Sequence, residues 1–186
     1  MLIKPNFYQN PSWLFTKNNF EVEAVVTIVC DELPTTSDVT VKLTRPNAAF
    51  NLFITGRGQT GQIIITVNHL APKTKSVIMS AVILEAKDKL FLKTNIILEW
   101  QAKGACTQTE LRALGANPEK ITLEPNLEIK SQPEKAAHAA TAGAFDEIQM
   151  AYLAERGITK ARAKNLLAAA FLDHARKKFF TLTAMG

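Results

Sequence analysis

The sequence predicts a mainly β body followed by a helical hairpin. Three observations carry that expectation. Short apolar runs recur between Glu21 and Ile129, broken by Pro, Gly and Asn. No helical period lies between those runs, which excludes βαβ units and leaves a sandwich, a barrel or a β-solenoid. After Ala144 the apolar spacing changes to steps of three and four residues, with one glycine break at Gly157.

The elements follow in chain order. Residues 1–20 are rich in Asn, Phe, Trp and Pro without a clear period. They are expected to cap the end of the body, with Trp13, Phe15 and Phe20 as buried anchors. Val22, Ala24 and Val26 alternate with Glu21, Glu23 and Val25, and Val39, Val41 and Leu43 with Thr40 and Lys42, as half-buried strands do. Leu52–Ile54, Ile63–Ile65, Val82–Leu84 and Ile96–Leu98 are denser, which suits strands shielded on both faces or stacked in layers. Breaks fall at Leu33-Pro34-Thr35, Arg45-Pro46-Asn47, Gly56-Arg57-Gly58, Ala71-Pro72 and Lys103-Gly104. The apolar runs recur at roughly twenty residues, a spacing compatible with solenoid coils, without a residue-level repeat. A first helix is expected over Ala144–Arg156, with Gly157 as its C′ residue, and a second after Thr159 as N-cap. Its apolar stripe is Ala163, Leu166, Leu167, Ala170, Phe171 and His174. The expected division is a cap over 1–20, a β core over 21–142 and a helical domain over 143–186.

Composition bounds the function. With 47% hydrophobic and 21% charged residues the chain is expected to fold and to be soluble. No apolar run approaches the ~18 residues of a membrane span, and the start MLIKPNFYQNPSW has no long apolar core of the secretory kind, so a cytoplasmic location is expected. Two cysteines, Cys30 and Cys106, make no disulfide framework, and no CxxC pair exists to hold zinc or a cluster by itself. The net charge of +5 lies wholly in Thr159–Gly186, where Lys160, Arg162, Lys164, Arg176, Lys177 and Lys178 face one acid, Asp173. Aromatic residues do not interleave with these bases, so an acidic protein partner is expected ahead of nucleic acid. No nucleophile–base arrangement is visible. Gly56–Gly61 lacks the Gly-Lys-Ser/Thr ending of a phosphate loop, and the acids are scattered rather than gathered on one β face as in a carbohydrate-cleaving solenoid.

Several segments carry a family resemblance. His69-Leu-Ala-Pro-Lys-Thr-Lys-Ser76, Ala81–Lys89 with Phe91, Pro125-Asn-Leu-Glu-Ile129, His138-Ala-Ala-Thr-Ala-Gly143, Tyr152-Leu153 with Arg156-Gly157-Ile158, and Ala170-Phe171 occur in order. Together they resemble the SufB/SufD family, scaffold subunits of an iron–sulfur cluster assembly system, most clearly from Gly61 to Leu172. The resemblance implies a right-handed parallel β-helix with a C-terminal helical hairpin. It also implies a non-catalytic role: a SufC-like ABC ATPase binds the helical end, and a second SufB/SufD-type subunit, or a second copy of this chain, joins through the β-helix. Measured against that family pattern, the chain is expected to be a shortened member that lacks the usual N-terminal helical region and several rungs.

The same resemblance assigns the candidate residues. His138 matches a family histidine near the cluster site. Where the SufB branch carries a cysteine before the Pro-x-Leu strand, alignment back from Pro125 places Glu110, with Cys106 displaced nearby; the acid that follows the histidine in SufB is here Ala139. These departures place the chain closer to SufD. No firmly bound cofactor or metal is expected, only a transient iron–sulfur cluster. The expected partner-binding residues are Tyr152, Arg156, Gly157, Ile158, Leu166, Leu167, Ala170 and Phe171. His69, flanked by Pro72 and Thr74, is expected to be structural. The alternative is a shortened β-helix interaction module with no iron–sulfur role.

Overall fold

The computed structural model describes residues 2–3, 6–11, 14, 18–32, 35–58 and 60–184. Among the described residues, twelve strands form two six-stranded, wholly parallel sheets. One has the order β1-β3-β5-β7-β9-β11 and the other β12-β10-β8-β6-β4-β2. Odd and even strands alternate along the chain, so each coil lays one strand in each sheet. The molecule is a parallel β-solenoid, and of the three architectures open to the sequence only this one makes every pairing parallel and every neighbour two strands away.

The first sheet contains β1 (Leu2–Ile3), β3 (Asn19–Val22), β5 (Thr36–Leu43), β7 (Gly61–His69), β9 (Leu90–Leu98) and β11 (Ile121–Ile129). The second contains β2 (Asn6–Gln9), β4 (Val25–Cys30), β6 (Ala49–Arg57), β8 (Lys75–Leu84), β10 (Cys106–Gly115) and β12 (Lys135–Gly143). The segment expected as a cap therefore supplies β1, β2 and the start of β3 to the sheets. Phe20 is buried there; Trp13 and Phe15 lie outside the described residues. The alternation expected over Glu21–Val26 is divided by a corner at Glu23-Ala24, where the chain passes from one sheet to the other.

Coil length explains why no clean repeat was visible. The register offset is 19 residues for Leu2 and Glu21, 24 for Val25 and Ala49, and 31 for Lys75 and Cys106. A spacing near twenty holds only for the first coils, because later corners are longer. Three corners share one device. Asn47, Lys73 and Gly104 adopt φ of 62°, 56° and 68°, and their N–H groups donate to the carbonyls of Pro72, Lys103 and Gln132 on the following coil, at 3.2, 2.9 and 2.9 Å.

The core lies between the two sheets, built from in-register ladders such as Phe20–Val41–Val67–Ile96–Leu127 and Ile28–Leu52–Ile78. On the outer faces the sheets differ. Ala49–Thr55 of β6 and Met79–Leu84 of β8 are buried on both sides, whereas Ile64 of β7 and Ile97 of β9 are only half-buried. The cover is helical. Helix α1 (Glu147–Glu155) leads into α2 (Lys160–Ala184), which crosses the outer face of the even-stranded sheet. Ala175 and Phe179 close over Val29, Phe53, Met79 and Ala81, and the Phe53 and Phe179 rings stack with centroids 5.3 Å apart. The buried positions of α2 are Ala163, Ala168, Ala175 and Phe179, so the expected stripe is displaced: Leu166, Ala170 and His174 are exposed.

Candidate interaction surfaces

The hairpin is built by its caps. The Asp146 carboxylate accepts from the N–H groups of Ile148 (2.8 Å) and Gln149 (3.1 Å), starting α1. At its other end Gly157, at φ 76°, donates to Ala154 O, and Ile158 N–H donates to Leu153 O, a pair of bonds that needs a left-handed residue at Gly157. Thr159 then caps α2, its hydroxyl accepting from Arg162 N–H at 3.4 Å.

The tip this creates presents apolar side chains to solvent. Ile148 is 81% exposed, Tyr152 52% and Leu166 47%, and the Arg156 guanidinium lies 4.4 Å over the Tyr152 ring. Arg156 and Gly157 are exposed and Ile158 is half-buried. Leu167, Ala170 and Phe171, expected on the same surface, instead line a cleft of about 420 Å³ between the hairpin and the solenoid end, with Arg112 5.0 Å over the Phe171 ring. Ile148 was not singled out from sequence as a contact residue. Its place four residues before Tyr152 was the available signal.

Charge along α2 also divides. Arg176 pairs with Asp31, Lys177 with Asp173 and Lys178 with Glu110. The other three bases, Lys160, Arg162 and Lys164, lie within the first five residues of α2, whose first turn contains no acid. Cations there oppose the helix dipole, an unfavourable arrangement of a few tenths of a kcal/mol each.

The solenoid ends openly. Among the described residues β12 pairs only with β10 and β11 only with β9, so each keeps one edge without a strand partner there. β12 is a strip of small residues, Ala136, Ala137, Ala139, Ala140 and Ala142, almost wholly exposed. His138 stands in it, in register with the buried Thr109, on the core-facing side that no further coil covers. Cys106 and Glu110 occupy the opposite, outer face of β10, where Glu110 is engaged by Lys178. The structure therefore does not bring His138 together with Cys106 and Glu110. Among the described residues no three His, Cys, Asp or Glu side chains are gathered as metal ligands.

His69 sits fully buried in the ladder Val22–Leu43–His69–Leu98. Its Nδ1 lies 2.9 Å from Thr74 Oγ1 and its Nε2 2.9 Å from Ser76 Oγ. Thr74 gives its proton to Ala71 O, so it accepts from Nδ1–H, and Nε2 accepts from Ser76. Burial lowers the imidazole pKa to about 4, so the ring is neutral at neutral pH.

A parallel β-solenoid carrying a helical hairpin, with one exposed helical tip and one open sheet end, defines the class of protein. The family model described as SUF system FeS cluster assembly, SufBD core domain, matches residues 21–171. The chain belongs to that family. No curated protein matches it. Among the described residues no helix is long and apolar enough to cross a membrane.

Proposed function

We propose that this chain is a non-catalytic, cytoplasmic scaffold subunit for iron–sulfur cluster assembly. It docks a SufC-like ABC ATPase through the tip of the α1–α2 hairpin, and a second SufB/SufD-type subunit, or a second copy of itself, through the free edges of β11 and β12. The observation that carries this reading is the exposed tip: Ile148, Tyr152 and Leu166 with Arg156, on a chain whose residues 21–171 match the SufBD core. Three unopposed cations at the start of α2 fit an acidic complement. The small-residue edge of β12 fits strand addition, which needs close backbone approach. The cluster is cargo. Of His138, Cys106 and Glu110, His138 is the residue a second subunit at the open end reaches, and the other cluster ligands come from that subunit.

The test is capture of a purified SufC-like ATPase by the full chain and by Tyr152→Ala/Leu166→Ala. Loss of capture with unchanged thermal unfolding supports the reading; unchanged capture refutes it. Deleting residues 144–186 is a cruder test, because it uncovers Val29, Phe53 and Met79. The separation of His138 from Cys106 favours a second reading, an interaction module with no iron–sulfur role. Anaerobic reconstitution with iron and sulfide separates the two: a cluster chromophore that requires His138 supports the first, and no chromophore with a SufB-type subunit present supports the second.

A further inference from the structure

The cleft of about 420 Å³ between the hairpin and the solenoid end has the size and make-up of a small-molecule site. Leu114, Phe145, Leu167 and Phe171 give it apolar walls, and Arg112, Thr141, Asp146, Gln149 and His174 bring polar groups to them. Arg112 is the unusual member. It is half-buried on the outer face of β10, and its guanidinium lies 5.0 Å over the Phe171 ring. Among the described residues that guanidinium has no carboxylate or carbonyl partner; the Arg112 hydrogen bonds to Ser80 come from its main chain. The α2 bases over the same sheet, Arg176 and Lys178, each meet an acid. An aromatic ring attracts a cation but does not fill its fork of N–H donors. A half-buried guanidinium with that fork open suits a planar anion, and a carboxylate takes it bidentately. Asp146 is the one acid in the lining. Its carboxylate is engaged by the N–H groups of Ile148 and Gln149, and its charge disfavours a second negative group in the cleft.

We propose that this cleft binds a small monocarboxylate with an apolar body. The carboxylate pairs with Arg112, the body lies against Phe145, Leu167 and Phe171, and Thr141 and Gln149 offer hydrogen bonds to polar substituents. No residue of α1 is buried, so a ligand held between Gln149 and Arg112 ties α1 to the solenoid end. The site depends neither on the scaffold role nor on the exposed tip.

The probes are phenylacetate, its neutral isostere phenylacetamide, and acetate, which has the charge without the body. Each is titrated into the full chain and followed by proton–nitrogen correlation NMR. The expected result is saturable shifts confined to Arg112, Thr141, Gln149, Leu167 and their neighbours. Phenylacetate is expected to bind on the order of tenfold more tightly than either comparison. Arg112→Gln brings phenylacetate down to the level of phenylacetamide, and Arg112→Lys, which keeps the charge without the fork, restores only part of the preference. Leu167→Ala, in the apolar wall, weakens phenylacetate and phenylacetamide alike, and spectra unchanged away from the cleft show that the variants fold. The absence of saturable shifts, equal affinities for phenylacetate and phenylacetamide, equal binding of acetate, or a preference that survives Arg112→Gln overturns the proposal.

Discussion

Replacing Phe179 with alanine tests how α2 is held. The ring is fully buried and stacked on Phe53. Truncating such a buried aromatic costs about 3–5 kcal/mol, transfer and cavity together. The polar ties are weaker. Arg176–Asp31 and Lys178–Glu110 have side chains 43% and 28%, and 39% and 13%, exposed, and pairs of this kind contribute about 0–1 kcal/mol each. Arg112 over Phe171 adds about 0.5–1 kcal/mol. Loss of the ring therefore removes most of the anchoring free energy of the C-terminal half of α2. In hydrogen exchange read by mass spectrometry, amides over Ala168–Ala184 are expected to lose at least about a hundredfold in protection, while β6 to β9 keep theirs. Asp31→Asn is expected to cost α2 less than about tenfold. Unchanged protection of α2 in the Phe179 variant, an equal loss in Asp31→Asn, or collapse of the strands together with the helix refutes this account.

Other expectations follow from single buried groups and corners. Because burial depresses the His69 pKa to about 4, the unfolded chain takes up a proton near pH 6.5 that the folded chain refuses. Stability is thus full above about pH 6.5 and falls toward pH 4 by about 3 kcal/mol in total; urea midpoints against pH measure it, and His69→Gln flattens that part of the curve. Thr94 is fully buried with no hydrogen-bond partner for its hydroxyl among the described residues. Thr94→Val is expected to raise stability by about 1 kcal/mol in the same assay. Gly104→Ala, whose new Cβ meets Lys73 Cγ only at an ordinary 3.5 Å, destabilises through its φ of 68° by about 1–2 kcal/mol, and Lys73→Gly stabilises by less than that.

The β class was legible because alternation survives wherever one face of a strand meets water. The solenoid was not legible from periodicity, since coils that lengthen from 19 to 31 residues leave no fixed repeat. It came from the motifs after Gly61, although the family match begins at residue 21, among short coils without such motifs. The density of Leu52–Ile54 and Val82–Leu84 did report a second buried face, but Ile63–Ile65 and Ile96–Leu98 look the same and lie on the uncovered sheet. Only the path of α2 tells them apart. The caps of the hairpin were written locally, in Gly157 and Thr159, and appear as expected. The buried face of α2 was not, because an alanine such as Ala175 carries no hydrophobic contrast and gains its role from Phe53 and Met79 of distant strands.

The path of α2 also ties the two proposed surfaces together. Along its length the helix meets Arg112 of β10, Met79 of β8, Phe53 of β6, Val29 of β4 and, through Phe180, Phe7 of β2. It therefore touches five successive strands of one sheet and begins at the tip that carries Tyr152. A force on that tip is not delivered to one coil. It is spread by a single helix over the whole outer face, to strands that are laddered rigidly to one another by in-register parallel pairing. Movement at the tip must either shift the rod as one body or peel α2 from its small apolar anchor around Phe179. The anchoring free energy of that one ring decides between these outcomes, which makes the Phe179 exchange experiment a test of transmission as well as of packing.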